Sequence, residues 1–160
     1  SLPLVHGAMK AILDGRRTPE VYSDLALGAY CAGVAIVNAR TGLHHSICHK
    51  LAPAAGITHG LANSIMLTRV LAFNRDHAKA ELEEVARLIG REDQGVEGAI
   101  AAFRNLPIKA GLPTRLRDVG VDAAIFPELA ERILTEPGLT FNPRPVNGAE
   151  EILEVLKAAW

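Results

Sequence analysis

Aromatic side chains make up only 4% of this 160-residue sequence, and β-branched or aromatic residues nowhere gather into runs that would feed a sheet. The 49% hydrophobic content comes mainly from Ala, Leu, Ile and Val, which favours helix over strand. There are two cysteines, Cys31 and Cys48, with no CxxC between them. That excludes a disulfide framework and a cysteine zinc site, and it suits a reducing compartment with two buried free thiols. No stretch collects charge of one sign, and 17 basic against 18 acidic residues leave a net charge of -1. A nucleic-acid backbone therefore has no electrostatic counterpart here. No apolar run reaches the roughly 18 residues that span a bilayer, and SLPLVHGAMK lacks the basic end and apolar core of a signal peptide. A cytoplasmic protein without a membrane partner is the expectation.

What remains is helical pattern. The length suits a single domain over residues 1–160, able to bury about two-thirds of its unfolded surface. Leu4, Ala8, Ala11 and Ile12 share one face of a first helix that ends near Asp14 and Gly15. Thr18, Pro19 and Glu20 open a second helix, which turns nearly all-apolar after Asp24 and is expected at the centre of the core. Gly28 and Gly33 within it imply close approach of a neighbouring helix. A helix carrying most of the histidines is expected to stop near Ala52, before Pro53, and another to begin at Thr58. Further helices follow from Asp76, from Gln94 to Leu106, from Asp122 to about Leu134, and from Ala149 to Ala159. The predicted fold is an all-α multi-helical bundle without a substantial sheet.

Four of the six histidines lie between Gly42 and Gly60. On a helix, His45 and His49 form one stripe, Leu43, Ile47 and Leu51 another that faces a core, and His44 and Cys48 fall between. His59 opens the next helix, where the positive end of the dipole disfavours added positive charge. The turn can fold it back on the first stripe. Two or three imidazoles so placed suit a borderline divalent ion such as Zn²⁺ or Fe²⁺. His6 and His77 stand alone and read as hydrogen-bonded packing residues. No HExxH motif is present.

GLHHSICHKL followed by ITHGLANSIMLTRVLAFN resembles the diagnostic stretch of the iron-containing alcohol dehydrogenases: His-x3-His on a helix, a loop, then His-Gly at the next helix start. The resemblance implies metal-ligand roles for His45 and His59, a catalytic and cofactor-facing role for His49, and a substrate-pocket position for His44. It corrects the spacing argument, which pairs His45 with His49. GLHHxxCH, LPTRLRDVGV and FNPRPV further resemble the maleylacetate reductase branch, whose substrates are small unsaturated keto-dicarboxylates from aromatic-ring breakdown. LPTRLRDVGV and FNPRPV also read as proline-set turns that enter helices.

Thr58 and Ala52-Pro53 depart from the family pattern, so the loop between the histidine helices is expected to differ in shape. The family's nucleotide-binding half and its Asp-x3-His are not in this sequence. The chain is therefore expected to be the C-terminal helical domain of an NAD- or NADP-dependent enzyme, inactive alone, with the nucleotide held mainly by an N-terminal domain. Expected partners are a small-molecule substrate, that N-terminal domain and a second copy of the chain. Two alternatives stand beside this one. In the first, the chain is a helical interaction module whose histidines line a groove; in the second, it belongs to the glycerol dehydrogenase, general iron alcohol dehydrogenase or dehydroquinate synthase groups.

Overall fold

A computed structural model describes all residues, 1–160, and helical periodicity becomes eight α-helices with no strand. These are α1 (Leu2–Leu13), α2 (Pro19–Asn38), α3 (Leu43–Ala55), α4 (His59–Asn74), α5 (Lys79–Leu88), α6 (Gly95–Lys109), α7 (Phe126–Leu134) and α8 (Ala149–Ala159). Short 3-10 turns at Glu92–Gln94, Leu116–Val119, Ala123–Ile125 and Pro137–Phe141 connect them. The chain divides into two compact units. One comprises residues Ser1–Arg40 and Lys79–Ala110, the other Thr41–Ala78 and Gly111–Trp160.

In the first unit, α1 packs along α2, and α5 against α6. Thr18 takes the N-cap position of α2 with Pro19 following, but its hydroxyl makes no cap bond to the helix. Instead it hydrogen-bonds the Glu20 carboxyl and holds that group below its usual range. Gly28 is the buried contact between α2 and α1, because a Cβ there would lie 2.7 Å from Val5 Cγ2 and 3.0 Å from the Val5 backbone nitrogen. At Gly33 a Cβ would meet nothing within 4 Å, so the expected close approach there does not occur.

The apolar second half of α2 is not central to the core. Of its 20 residues only Gly28 is buried, while Tyr30 is 71% and Val37 83% exposed. Apolar composition dictates burial only where another element covers the helix, and α1 covers one side. The same helix corrects a second expectation: over 18 residues its mean hydropathy is 1.3, long and apolar enough by length and composition to cross a membrane.

In the second unit, α3 packs on α4, α7 on α8, α4 on α8 and α3 on α7. The core is aliphatic, as the composition requires: Leu43, Ile47 and Leu51 from α3, Ile65 and Met66 from α4, Leu129 and Ile133 from α7, and Ile152 and Leu156 from α8. Phe126 is the aromatic member of that buried set. The LPTRLRDVGV turn sends Leu116 into this core and closes on Gly120, whose φ of +78° suits glycine. The Trp160 indole donates to the Val121 carbonyl at 3.0 Å, fastening the end of α8 to that turn.

Candidate metal centre

The 3.6-residue period of α3 decides which side chains the second unit can offer. Leu43, Ile47, Cys48 and Leu51 are 0% exposed, which turns His45 and His49 to the outer side of the helix. Contrary to the expected stop at Ala52, α3 continues through Pro53 to Ala55. Proline in a last turn removes one amide, here the donor facing the His49 carbonyl, and the remaining packing of α3 outweighs it. The helix instead ends at Gly56 in the left-handed conformation, φ 65°, and the Ile57 amide closes back on the Ala52 carbonyl at 3.1 Å. Thr58 then caps α4 by accepting the Leu61 amide at 3.3 Å, which brings His59 into the first turn.

This tight reversal brings His45, His49 and His59 together. Their candidate ligand nitrogens all lie within 4.8 Å of one another. The ring centroids are 4.1 Å apart for His45 and His49, 5.8 Å for His45 and His59, and 5.6 Å for His49 and His59. His45 is half-buried, and the other two are exposed. Burial, then the neighbouring His49 and His59, hold the His45 imidazole below its usual range, with the Glu136 carboxylate opposing. A ring that resists protonation keeps a lone pair for a cation.

His44 stands apart from this triad. Its Nε2 lies 3.2 Å from the Asn63 carbonyl oxygen, which can only accept, so that nitrogen carries the proton. The Cys48 sulfur is 3.7 Å from the same nitrogen. Burial chiefly lowers the His44 pKa, and burial raises the Cys48 thiol to about 12, leaving it neutral. Both cysteines are free thiols; Cys48 is buried as expected, whereas Cys31, also expected buried, is half-buried.

Two features that hold the site went unrecognised in the sequence. The first is Asn142, within FNPRPV. Its Oδ1 accepts the Leu43 amide at 3.1 Å, satisfying an otherwise unpaired donor at the start of α3. Its amide also exchanges hydrogen bonds with Asn74 at the end of α4, at 3.1 and 2.7 Å, and donates to the Arg144 carbonyl at 2.7 Å. Gly42 is glycine because a Cβ there would meet Asn142 Oδ1 at 2.9 Å. Arg144 then lies over the Phe73 ring, 4.0 Å from its centroid, and pairs with Glu151 at 2.8 Å. Asn142 thus ties together the two helices that carry the histidines. An asparagine in a proline-rich connector signals a turn, and nothing local reveals that it reaches α3 and α4.

The second is the ion pair between Lys50 and Glu136, at 2.7 Å. It puts a carboxylate near the His45 ring, from a turn far away in sequence.

The donor set fits a divalent cation. Imidazole nitrogens about 2.0–2.1 Å from a tetrahedral ion stand about 3.4 Å from one another, so the observed spread needs only modest closing. Exposure of His49 and His59 leaves one side open to a small molecule, as catalytic sites require.

A helical domain presenting a His-x3-His stripe beside a helix-opening histidine defines a recognisable class. The whole chain, residues 1–160, matches the Fe-containing alcohol dehydrogenase family, C-terminal. The chain belongs to that family. It is 31% identical over 166 residues to lactaldehyde reductase of Escherichia coli K12, covering 100% of this chain and 43% of that protein. Against 1,3-propanediol dehydrogenase of Klebsiella pneumoniae it is 33% identical over 143 residues, covering 86% of this chain and 37% of the relative. Among solved structures, a 1,3-propanediol oxidoreductase superposes with a TM-score of 0.87 at 27% identity, over 99% of this chain and 44% of the other. The chain therefore spans less than half the length of these relatives.

Proposed function

We propose that this chain is the metal- and substrate-bearing helical part of an NAD(P)-dependent oxidoreductase, moving hydride between a nicotinamide and a small carbonyl or alcohol. The observation that carries it is the convergence of three imidazoles within 4.8 Å on an open face. His45 and His59 are the proposed protein ligands from this chain, for Fe²⁺ first and Zn²⁺ second. When bound, the ion supplies Lewis-acid polarisation of the substrate oxygen. His49, whose ring lies against those of His45 and His59, is the residue proposed to orient the nicotinamide and substrate. His44, hydrogen-bonded to the Asn63 carbonyl, is the proposed substrate-side neighbour of the triad.

NAD(P) is assigned mainly to an N-terminal domain of the kind that makes up the rest of the relatives. Two free thiols favour the cytoplasm. The names of the relatives favour small aldehydes and alcohols, such as lactaldehyde or 1,3-propanediol, as substrates. GLHHSICH supports the maleylacetate-like branch as a second reading. FNPRPV and LPTRLRDVGV support it less, because their residues have the structural duties described above. Assay of a full-length enzyme on both substrate panels separates the two.

The site itself is tested by variants of that full-length enzyme. His45→Ala and His59→Ala should each lower metal affinity at least about 100-fold, more than loss of an outer-sphere group does. Turnover should fall with the metal. His49→Ala should keep the metal and lose turnover; loss of metal there instead would make His49 a ligand. The 160-residue chain alone should fold but not oxidise NADH or NADPH, and measurable oxidation by it would overturn the division of labour.

A further inference from the structure

The first unit has a cavity of about 330 Å³, lined entirely by its own residues, whose charge is one-sided. Lys10 reaches it from α1, Arg91 from the turn after α5, and Lys109 from the end of α6. No Asp or Glu lines it. The chain as a whole has about as many acids as bases, so this one-sided lining is a product of folding. Cations gathered without counter-charge repel one another, and a bound anion would relieve that repulsion.

The cavity is also partly organised. Gly90, with φ +70°, turns the chain so that the Arg91 amide bonds the Ala86 carbonyl at 2.8 Å. The Arg91 guanidinium is steadied by donating to Gln94 Oε1 at 3.0 Å. Asn105 from α6 also lines the cavity. His6 records the field inside: burial, then Lys10 and Arg91, lower its proton affinity. The isolated histidine that the sequence suggests is a packing residue therefore lines a positive cavity.

We propose that this cavity is a binding site for a small phosphate-bearing anion, held by Lys10, Arg91 and Lys109 with Asn105 as a neutral donor. Three cations from three chain segments suit a tetrahedral group presenting oxygens in several directions better than a planar carboxylate with two. The volume lies at the lower end of the range for small-molecule sites, about 300–1,000 Å³, and admits a phosphate with a body of a few atoms. Leu13 and Leu106 offer apolar surface to that body. The site is confined to the first unit and does not depend on the metal reading.

The test is calorimetric titration of the 160-residue chain with inorganic phosphate, pyrophosphate and glycerol 3-phosphate. It is run at low ionic strength on chain freed of metal by passage over a chelating resin, with chloride as the control. One saturable site is expected, tighter for pyrophosphate than for phosphate and weakened by salt. Lys10→Ala combined with Lys109→Ala, both at exposed positions, should lower affinity at least about tenfold, as should Arg91→Gln. Amide chemical shifts should move chiefly over residues 90–94. If a variant melts early by circular dichroism, Lys10→Gln with Lys109→Gln replaces it. Tighter binding of the ester assigns an organic phosphate, and equal affinities assign the free anion. Absence of saturable binding, undiminished binding by the charge-deleted variants, or shifts centred on His45 and His59 would overturn the proposal.

Discussion

Asn142 concentrates more of the site's geometry than any histidine does. It is 8% exposed and engages the first amide of α3, the last residue of α4 and the backbone at Arg144. Asn142→Ala would leave the Leu43 amide, the Asn74 side chain and the Arg144 carbonyl without these partners. The expected loss is about 2–3 kcal/mol of stability by urea unfolding, because buried unpaired groups cost more than a hydrogen bond contributes. Metal affinity should weaken with it, since α3 and α4 lose their common anchor. Unchanged stability would show that water replaces the amide without penalty. At this scale the sequence revealed the triad well, because four- and fourteen-residue spacings are local facts. It did not reveal Asn142, Lys50 or Glu136 as partners, since each acts on a residue far away in the chain.

Among the elements, α2 and α3 show where periodicity informs and where it does not. For α3, Leu43, Ile47 and Leu51 repeat every four residues and all are fully buried, so the histidine stripe had to face outward. For α2, both faces are apolar, and pattern alone gives no preferred side. Its two glycines provide a paired test. Gly28→Ala would push a methyl into Val5 and should destabilise by about 1–2 kcal/mol, overpacking outweighing the helix propensity gained. Gly33→Ala meets nothing and should stabilise by about 0.5–1 kcal/mol. Thermal unfolding of the two variants side by side checks both signs. Stabilisation by Gly28→Ala would mean that α1 and α2 are not in the described contact.

Leu27, Tyr30, Val34 and Val37 follow one another at helical spacing along α2 and remain 53%, 71%, 47% and 83% exposed. A stripe of that kind drives association between molecules. Sedimentation of the 160-residue chain should give a dimer or larger assembly, and Tyr30→Lys with Val37→Lys should return it to monomer without loss of helix. A clean monomer of the unaltered chain at high concentration would count against this.

The amino-acid sequence by itself determined that the fold is all helix, where most helices begin and end, which side of α3 is core, and that three histidines could meet across one turn. Each of these depends on residues a few positions apart. Tertiary structure alone decided that α2 lies largely uncovered, that Pro53 is carried inside α3, that Asn142 joins two helices, and that Lys10, Arg91 and Lys109 face one cavity. The physical reason is that burial and field strength depend on which distant segments pack together, and a charge-balanced sequence can still fold with its cations on one wall.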